Sequence, residues 1–389
     1  MALDLGSVVM VGPNHRPTYL DHAATTSMRQ SAIDAMLPFF TERFANPSGS
    51  HRFARDARRA IDESRDMVAE LIGVRPGEVV FVGCGTEADN QVIAGVDGVV
   101  VCPATEHHAV LHPVEARGGR VVGVDATGHV DLDQLASALD HDVAVVSVMA
   151  VNNEVGTITD LASVAAVVRA HAPRAILHTD AVQAPSWIDI RGLASHVDAM
   201  SLSAHKFGGP KGVGILTIRD GRSLSPMLIG GGQERERRSG THNVAGIVAM
   251  AVALAETDAR RDFENERLAG LRNRLVDEIT GALDDVVETV PRDRKVAGSA
   301  HLCFDGIESE SLLYLLDEAE VCASAASACA SGAMEPSHVL SAMGVDRRLA
   351  GGALRMSLGH TTTPADVDRG IEVVVDSVRR LRTTARTVA

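Results

Sequence analysis

The chain has 389 residues, 45% of them hydrophobic, and its 37 Lys and Arg against 51 Asp and Glu give a formal net charge of −14. This acidic balance argues against nucleic acid or an anionic membrane surface as a partner, because both require a basic face. No apolar run approaches the length that crosses a bilayer, and the N-terminus lacks the basic start and apolar core of a signal peptide, so we expect neither a membrane span nor secretion.

Short β-branched runs alternate with helical segments through the first half of the chain. Helical spacing of apolar residues predicts helices at 31–40, 54–72, 86–94, 108–115, 133–139 and 161–170. Strands are predicted at 79–82, 99–102, 120–124, 143–148, 176–179, 199–203 and 214–218. Apolar strands with helical crossovers indicate an α/β fold with a mostly parallel sheet covered on both faces, where ligands bind beyond the carboxyl ends of strands.

The pattern changes from about residue 245 onwards. A long helix rich in Arg and Glu is predicted at 244–283, short strands at 301–304 and 354–358, and an amphipathic helix from Pro364. These elements favour a second, smaller α+β lobe. We therefore expect a large domain over 18–255 and a small domain made of 1–17 and 256–389.

The five cysteines contain no CxxC pair, which favours a reducing cytoplasm over a disulfide framework or a zinc ribbon. Cys84, Cys102 and Cys303 lie in apolar or strand contexts and are predicted to be inert core thiols. For Cys322 a buried strand-end residue is favoured over a resolving thiol. Cys329 stands among alanines, serines and a glycine, with no bulky neighbour to bury it.

Lysine is rare in this chain, and the three lysines are Lys206, Lys211 and Lys295. Arginine stays protonated in proteins, whereas a lysine amine can lose its proton and act as a nucleophile. Lys206 follows a predicted strand in SAHKFGGPKG, where burial or a nearby cation could lower the pKa of its amine and allow a Schiff base. The alternative is a solvated surface lysine; the scarcity of lysine and the flanking Ser203 and His205 favour amine chemistry.

Two further strand ends carry polar residues that could act with this amine. In VGCGTEADN (82–90), glycines and Thr86 open a helix whose N-terminus could bind an anion, although an ordinary capped helix is the simpler interpretation. In ILHTDAVQ (176–183), Asp180 could pair with a cationic ring nitrogen, although the segment taken alone favours a helix N-cap. An anion cradle, an acid and an amine together suggest pyridoxal phosphate, whose ring withdraws electrons when its nitrogen is protonated.

With these residues in place, the chain resembles the cysteine desulfurases of the class-V aminotransferase family, of the NifS/IscS type. The resembling segments cover nearly the whole chain in the family's order and include YLDHAATT (19–26), NPSGSH (46–51), GTEADN (85–90), EHHAVL (106–111), VNNEVGT (151–157), HTDAVQ (178–183), SAHKFGGPKGVG (203–214), GGGQERERRSGTHNV (230–244), SACASG (327–332), EPSHVL (335–340) and LRMSLGHTTT (354–363). The resemblance implies the type I fold of pyridoxal phosphate-dependent transferases.

The resemblance also implies roles for single residues. Lys206 would bond to the cofactor and move protons at the substrate carbon, Asp180 would pair with the ring nitrogen, and His107 would stack on the ring and assist proton transfer. The ring oxygen and nearby groups would be bound by Gln183 and Asn152. The residues implied to hold the phosphate are Gly85, Thr86, Ser203 and His205 and, across the interface of a homodimer, Thr241.

The resemblance further implies that the substrate is L-cysteine, with Arg355 and Asn152 binding it; the planar guanidinium of Arg355 suits its carboxylate. Cys329, on a loop at about 322–335, would be the nucleophile that takes the sulfur as a persulfide and passes it to an acceptor protein. A scaffold or a TusA-like carrier would fit, in iron–sulfur assembly, tRNA thiolation or a dedicated biosynthetic pathway. Two alternatives stay open: a selenocysteine or cystine lyase that does not need Cys329, and a weakly active sulfur-transfer scaffold.

Several features depart from the family pattern or carry a simpler interpretation. Ala326 replaces a glycine of the loop, which predicts a stiffer segment because alanine disfavours positive φ. The stretch at 94–105 is shorter than expected. His107, His108 and His112 are not predicted to bind a metal, because no matching Cys or carboxylate cluster follows. The Glu- and Arg-rich run at 234–238, taken alone, is typical of a solvated turn.

Overall fold

The structure, a computed structural model, describes residues 16–325 and 337–388. Its strands are β1 Thr18–Tyr19, β2 Val79–Val82, β3 Val99–Pro103, β4 Arg120–Val122, β5 Val143–Ser147, β6 Ile176–Asp180, β7 Ala199–Ser203, β8 Gly214–Ile218, β9 Val286–Glu288, β10 Ser299–Phe304, β11 Val321–Cys322 and β12 Ala353–Ser357. Its α-helices are α1 Gln30–Met36, α2 Pro38–Thr41, α3 Arg52–Ile72, α4 Gly85–Ala94, α5 His108–Ala116, α6 Leu132–Ala138, α7 Leu161–His171, α8 Ile190–His196, α9 Val244–Ala282, α10 Ser309–Glu318, α11 His338–Ala342, α12 Arg347–Ala350 and α13 Pro364–Val388. In these ranges, no helix has the length and apolar character that a membrane crossing requires.

The large sheet has the strand order β2-β8-β7-β6-β5-β3-β4. The strands from β3 to β7 pair in parallel, and β8 runs antiparallel to both β7 and β2. One face is covered by α4 and α5, with Val92 and Val110 buried against strand residues such as Val145. The other face packs against α3, α7 and the first part of α9. The predicted α/β fold with a mostly parallel, doubly covered sheet is confirmed.

The predicted bounds hold best where β-branched residues run without interruption. β2, β7 and β8 begin and end at the predicted residues. The predicted helix at 31–40 is instead divided into α1 and α2, which meet at Leu37. Pro38 has no N–H to donate into the preceding turn, so the hydrogen-bond ladder cannot continue through it.

A second hydrophobic core lies around the antiparallel sheet β12-β10-β9 and the helices α10 and α13. Leu20 is fully buried in this core, and β1 pairs in parallel with β11, so the N-terminal strand joins the C-terminal part of the chain. The helix α9 belongs to both cores, through residues 247–254 in the first and 268–279 in the second. The predicted domain division after residue 255 therefore falls inside α9, and it stays a prediction.

Candidate active site

A cavity of about 340 Å³ lies beyond the carboxyl ends of β6 and β7. Residues predicted from distant parts of the sequence line it together: Gly85, Thr86, His107, Asp180, Gln183, Ser203, His205, Lys206 and Arg355. All except Arg355 come from the large sheet or from the turns that follow its strands, whereas Arg355 comes from β12 of the second core. The cavity therefore needs both cores for its walls.

Two predicted residues lie outside this lining, and a third cannot be compared with it. Asn152 lines an adjoining cavity; its Nδ2 donates to the Thr105 carbonyl at 3.0 Å and its Oδ1 accepts from the backbone N–H of Glu154 at 2.9 Å. Thr241 is exposed to solvent outside the lining of this cavity. Cys329, like Ala326, lies outside the described residues.

Lys206 lies in a short 3-10 turn directly after β7. Its Nζ donates to the carbonyl oxygens of Ala23 at 2.5 Å and Ala24 at 2.8 Å. Burial first, and then the charge of Arg355, lower the pKa of this amine to about 8, while Asp180 and Asp21 act in the opposite direction. The amine therefore reaches its neutral, nucleophilic form much nearer to physiological pH than a surface lysine would.

Asp180 ends β6 and is only 7% exposed. Its Oδ1 accepts from the backbone N–H of Val182 at 2.9 Å, and burial raises its pKa to about 6, which Lys206 partly offsets. The next helix, α8, is capped by Asp189 instead, so the interpretation of Asp180 as a helix N-cap is wrong. The Asp180 carboxylate is a buried anion at the edge of the cavity, and a cationic ring nitrogen suits it.

The first turn of α4 forms one wall of the cavity. Residue 85 must lack a side chain, because a Cβ there would lie 2.7 Å from Cγ2 of Val182. The N–H groups of a first helical turn have no partner within their helix, and Gly85 and Thr86 of this turn line the same cavity as the buried Ser203 and His205. This set of donors fits a phosphate group.

His107 caps the N-terminus of α5, and its Nδ1 accepts from the backbone N–H of Ala109 at 3.0 Å. In the neutral ring this bond leaves the proton on Nε2. Although the residue as a whole is exposed, neighbouring protein displaces water from the ring and Lys206 adds a positive charge, so the pKa of His107 falls to about 4. His107 is therefore a neutral ring at pH 7, suited to stacking.

Arg355 is 5% exposed, and two of its nitrogens already have partners. Nη2 donates to Asp21 Oδ1 at 2.6 Å and Nη1 donates to the Asn153 carbonyl at 2.9 Å. Its Nε is buried and, within the described ranges, has no hydrogen-bond partner. Nη1 and Nη2 each carry a second N–H, and a planar guanidinium held in this way at the cavity wall suits a carboxylate.

Comparison with known proteins agrees with this geometry. The model of the aminotransferase class-V family matches residues 18–369. The chain belongs to this family. It is 40% identical over 380 residues to the cysteine desulfurase IscS of Dictyoglomus turgidum, covering 95% of this chain and 96% of that protein. It is 42% identical over 390 residues to an IscS-like cysteine desulfurase of Mycobacterium tuberculosis, covering 95% of this chain and 98% of that protein.

A solved structure of a NifS-like protein superposes with a TM-score of 0.86 at 34% identity, over 93% of this chain and 99% of that chain. The resemblance to NifS/IscS-type cysteine desulfurases and the type I transferase fold are therefore confirmed. The predicted activity of this class-V family member, that of an L-cysteine desulfurase, is confirmed with them, and the lyase and scaffold alternatives are not favoured.

Sequence reasoning missed several residues of this class-V site. Asp21 and Asn153 hold Arg355, and the carbonyls of Ala23 and Ala24 hold Lys206. The segments that contain these residues indicate only the resemblance to the family. The signal that could have found Asp21 is its place just after the strand β1. Cys84, predicted to be a core thiol, is only half-buried and lines the cavity.

The other described thiols agree better with their predictions. Cys102 and Cys303 are buried, and burial raises the pKa of both thiols, so they are inert core residues. Cys322 ends β11 and is half-buried rather than fully buried, and burial raises the pKa of its thiol as well. None of these three has the lowered pKa that marks a reactive thiolate.

The Glu- and Arg-rich run at 234–238 is more than a solvated turn, because Glu234 is buried. Its carboxylate takes both terminal nitrogens of Arg65 at 2.9 and 2.6 Å, and it also accepts from His242 Nε2 at 2.8 Å and the Phe81 N–H at 2.9 Å. These bonds lower the pKa of Glu234 to about 2, although burial alone would raise it. They hold residues 234–236, whose φ angles of 49°, 58° and 67° are left-handed and costly without glycine.

Replacing Glu234 should therefore destabilise the class-V fold. We expect Glu234→Gln to lower the free energy of unfolding by about 3 kcal/mol, because the Arg65 charge is left buried and unpaired. Folding lowers this pKa from 4.5 to about 2, so the stabilisation is complete above about pH 5 and is lost as the pH falls towards 2. Urea unfolding of both proteins between pH 7 and pH 3 measures this.

A matched control is available in the same turn. Glu236 is exposed, and Glu236→Gln should change the free energy of unfolding by less than about 0.5 kcal/mol. If the two variants unfold at the same urea concentration, the Glu234 network does not stabilise the fold.

Proposed function

We propose that this L-cysteine desulfurase binds pyridoxal phosphate in the cavity of about 340 Å³ and transfers the substrate sulfur to Cys329. The observation that carries this proposal is the convergence of Lys206, Asp180 and Arg355 on one cavity. An amine with a lowered pKa, a buried acid and a guanidinium at the cavity wall match the three parts of such a reaction: cofactor attachment, ring charge and substrate carboxylate.

The residues present fit this cofactor. Its phosphate would lie at the first turn of α4, with Gly85, Thr86, Ser203 and His205, and its ring nitrogen would lie at Asp180. Gln183 and His107 line the same cavity, where they would bind the ring oxygen and cover the ring face. When bound, the cofactor supplies an electron-withdrawing ring that stabilises negative charge at the substrate carbon.

The protein groups supply orientation and proton transfer. Arg355 would bind the carboxylate of L-cysteine through the second N–H groups of its terminal nitrogens, while Asp21 and Asn153 keep the guanidinium in place. Asn152, in the adjoining cavity, would approach the substrate only by giving up its present backbone partners. The Lys206 amine, with its pKa near 8, takes a proton from the substrate α-carbon and returns one later.

Cys329 would receive the sulfur. Its thiolate attacks the substrate sulfur, so that an S–S bond forms while the C–S bond of the substrate breaks. The bonding electrons stay on the carbon, which gains a proton, and the products are L-alanine and a persulfide on Cys329. Neither an external oxidant nor a reductant is consumed in this step.

A homodimer would complete the site. Thr241 is exposed on this chain and is proposed to reach the phosphate of the partner subunit's cavity. Large apolar side chains stand exposed around α2 and in the segment before Thr241, and burial against a second copy would remove them from water: Leu37, Phe40, Phe44, Met227, Leu228 and Ile229.

The persulfide would pass to an acceptor protein, either a scaffold or a small TusA-like carrier. Iron–sulfur assembly, tRNA thiolation and a dedicated biosynthetic pathway all use such transfer. The described cysteines are free thiols, which supports the proposed reducing, cytoplasmic location.

A single turnover tests the proposed reaction. With the cofactor loaded and L-cysteine added at one equivalent per chain, without another thiol, we expect one L-alanine per chain and one added sulfur atom on Cys329. Peptide mass spectrometry and amino-acid analysis measure both products. Alanine formed without a modified Cys329, with the sulfur released into solution as elemental sulfur, would instead favour a lyase.

A further inference from the structure

A row of buried polar side chains lies beneath the cavity, two residues before the site residues on the same strands. On β6, His178 precedes Asp180 by two residues, and on β7, Ser201 precedes Ser203 by two, so each lies on the same face of the sheet as the site residue above it. His178 bonds to two hydroxyls, with Nδ1 2.8 Å from Ser147 Oγ of β5 and Nε2 2.9 Å from Ser201 Oγ. Ser147, His178 and Ser201 are all 0% exposed.

Asp89 of α4 ends this row and also lines the cavity that contains Asp180. It is 1% exposed, and its carboxyl is hydrogen-bonded to Ser201. Its Oδ1 lies 3.7 Å from His178 Nε2, too far for a hydrogen bond, and has no partner among the described residues. A buried carboxylate with an unsatisfied oxygen is costly, whereas a protonated carboxyl in the same place is less so.

The charges around Asp89 also oppose its ionisation. Asp180 from β6, Glu106 from the turn before α5 and Cys84 from the turn before α4 all raise its pKa, and burial raises it further. His178 cannot act as a counter-cation, because burial lowers its own pKa to about 3. Of the two cations on this cavity, Lys206 lowers the pKa of Asp180, and Arg355 is paired with Asp21.

We propose that Asp89 is a positioning residue of the cofactor site. Asp89 and Asp180 together carry one negative charge, and because Asp89 keeps its proton, that charge lies on Asp180. The row Ser147–His178–Ser201 holds Asp89 in place. Two carboxyl groups that share a buried site without a dedicated cation for each do not both ionise. The inference rests on the proposed function only in taking Asp180 as the partner of the ring nitrogen.

The proton on Asp89 can be counted through its effect on stability. Asp89→Asn keeps the shape and the neutral state of the protonated acid. The proposal requires that the folded protein keeps this proton, whereas the unfolded chain releases it above about pH 4. The unfolding constant of the wild type divided by that of the variant then rises tenfold per pH unit. We expect this rise between pH 5 and pH 7 in urea unfolding of the full-chain protein. A ratio that does not change with pH would overturn the inference.

Asp180→Asn tests whether the charge is shared. Without the Asp180 charge, Asp89 ionises more easily. The ratio of the unfolding constants of Asp180→Asn and of the double variant that also carries Asp89→Asn should therefore stop rising at a lower pH than the same ratio does in the wild-type background. A rise that ends at the same pH in both backgrounds would show that the two acids are independent. Both measurements follow protein stability and do not depend on desulfurase activity. A failed single turnover would therefore contradict the proposed function, whereas a ratio of unfolding constants that does not change with pH would contradict the role of Asp89.

Infrared spectroscopy covers the case in which Asp89→Asn does not fold. Wild-type protein with ¹³C in the aspartate side-chain carboxyl should show, at pH 8, a protonated carboxylic acid band that moves with the label. The label separates this band from Glu106, whose pKa burial also raises, and pH 8 lies above the pKa of Asp180 near 6. Absence of a labelled acid band would contradict a protonated Asp89.

Discussion

Lys206→Arg should lower kcat/KM for desulfuration at least about a thousandfold. Arginine keeps the positive charge and much of the length of the side chain, but it cannot lose its proton in a protein, so it can neither attack the cofactor nor accept a proton. Lys206 is suited to both tasks because burial and Arg355 lower its pKa to about 8. Steady-state assays of alanine release measure the loss.

The matched control is Lys211→Arg in the same Gly/Pro turn. Lys211 is exposed and lies outside the lining of the cavity, so this variant should retain activity within about twofold. Borohydride reduction followed by mass spectrometry adds a second measurement, in which one cofactor mass should be retained by the wild-type protein and by Lys211→Arg but not by Lys206→Arg. Equal activity of the two arginine variants would remove Lys206 from the mechanism.

Cys329→Ala should lower alanine formation at least about a hundredfold while leaving cofactor binding intact. The thiol is proposed to attack the substrate sulfur, and alanine offers no nucleophile in its place. Most of the proposed phosphate and ring contacts come from the described lining of the cavity, and this variant leaves those residues unchanged. Visible absorbance of the bound cofactor and the alanine assay, run on the same preparation, measure the two properties.

Cys322→Ala serves as the control for this variant. Cys322 ends β11, is half-buried and has a raised thiol pKa, so its removal should leave alanine formation within about twofold. Full turnover by Cys329→Ala would show that sulfur leaves without this thiol, as in a lyase. Loss of turnover in both variants would point to Cys322 as a second thiol of the relay.

The sequence predicted the strand ends of the site well, because β-branched runs and the polar residues that follow them are local patterns. Asp180 and Lys206 both come directly after such runs, and parallel strands bring their carboxyl ends to one edge of the sheet. Glu234 shows where local patterns fail. The residues that follow it are charged and exposed, and the distant Arg65, the Phe81 N–H and His242 make its burial favourable.

The scarcity of lysine likewise indicated a few candidate amines, but it could not show which of them belongs to the site. Lys206 and Lys295 are both largely buried, and burial lowers the pKa of each to about 8. Lys295 forms an ion pair with Glu288 at 2.7 Å, away from the cavity, and is structural. The difference between a reactive and a structural amine lies in the neighbours that the fold supplies.

The sequence by itself determined the family and the mostly parallel sheet, since both depend on local patterns or on ordered motifs, and it predicted the amine, the acid and the guanidinium of the site. Only the tertiary structure sets the hydrogen-bond partners, the burial and the pKa values of the groups in the site. It placed Arg355 of the second core against Asp21 at the cavity wall, and it buried Asp89 beside Asp180. Burial and the approach of charges from distant segments set a pKa, and neither can be derived from the residues next to it in the chain.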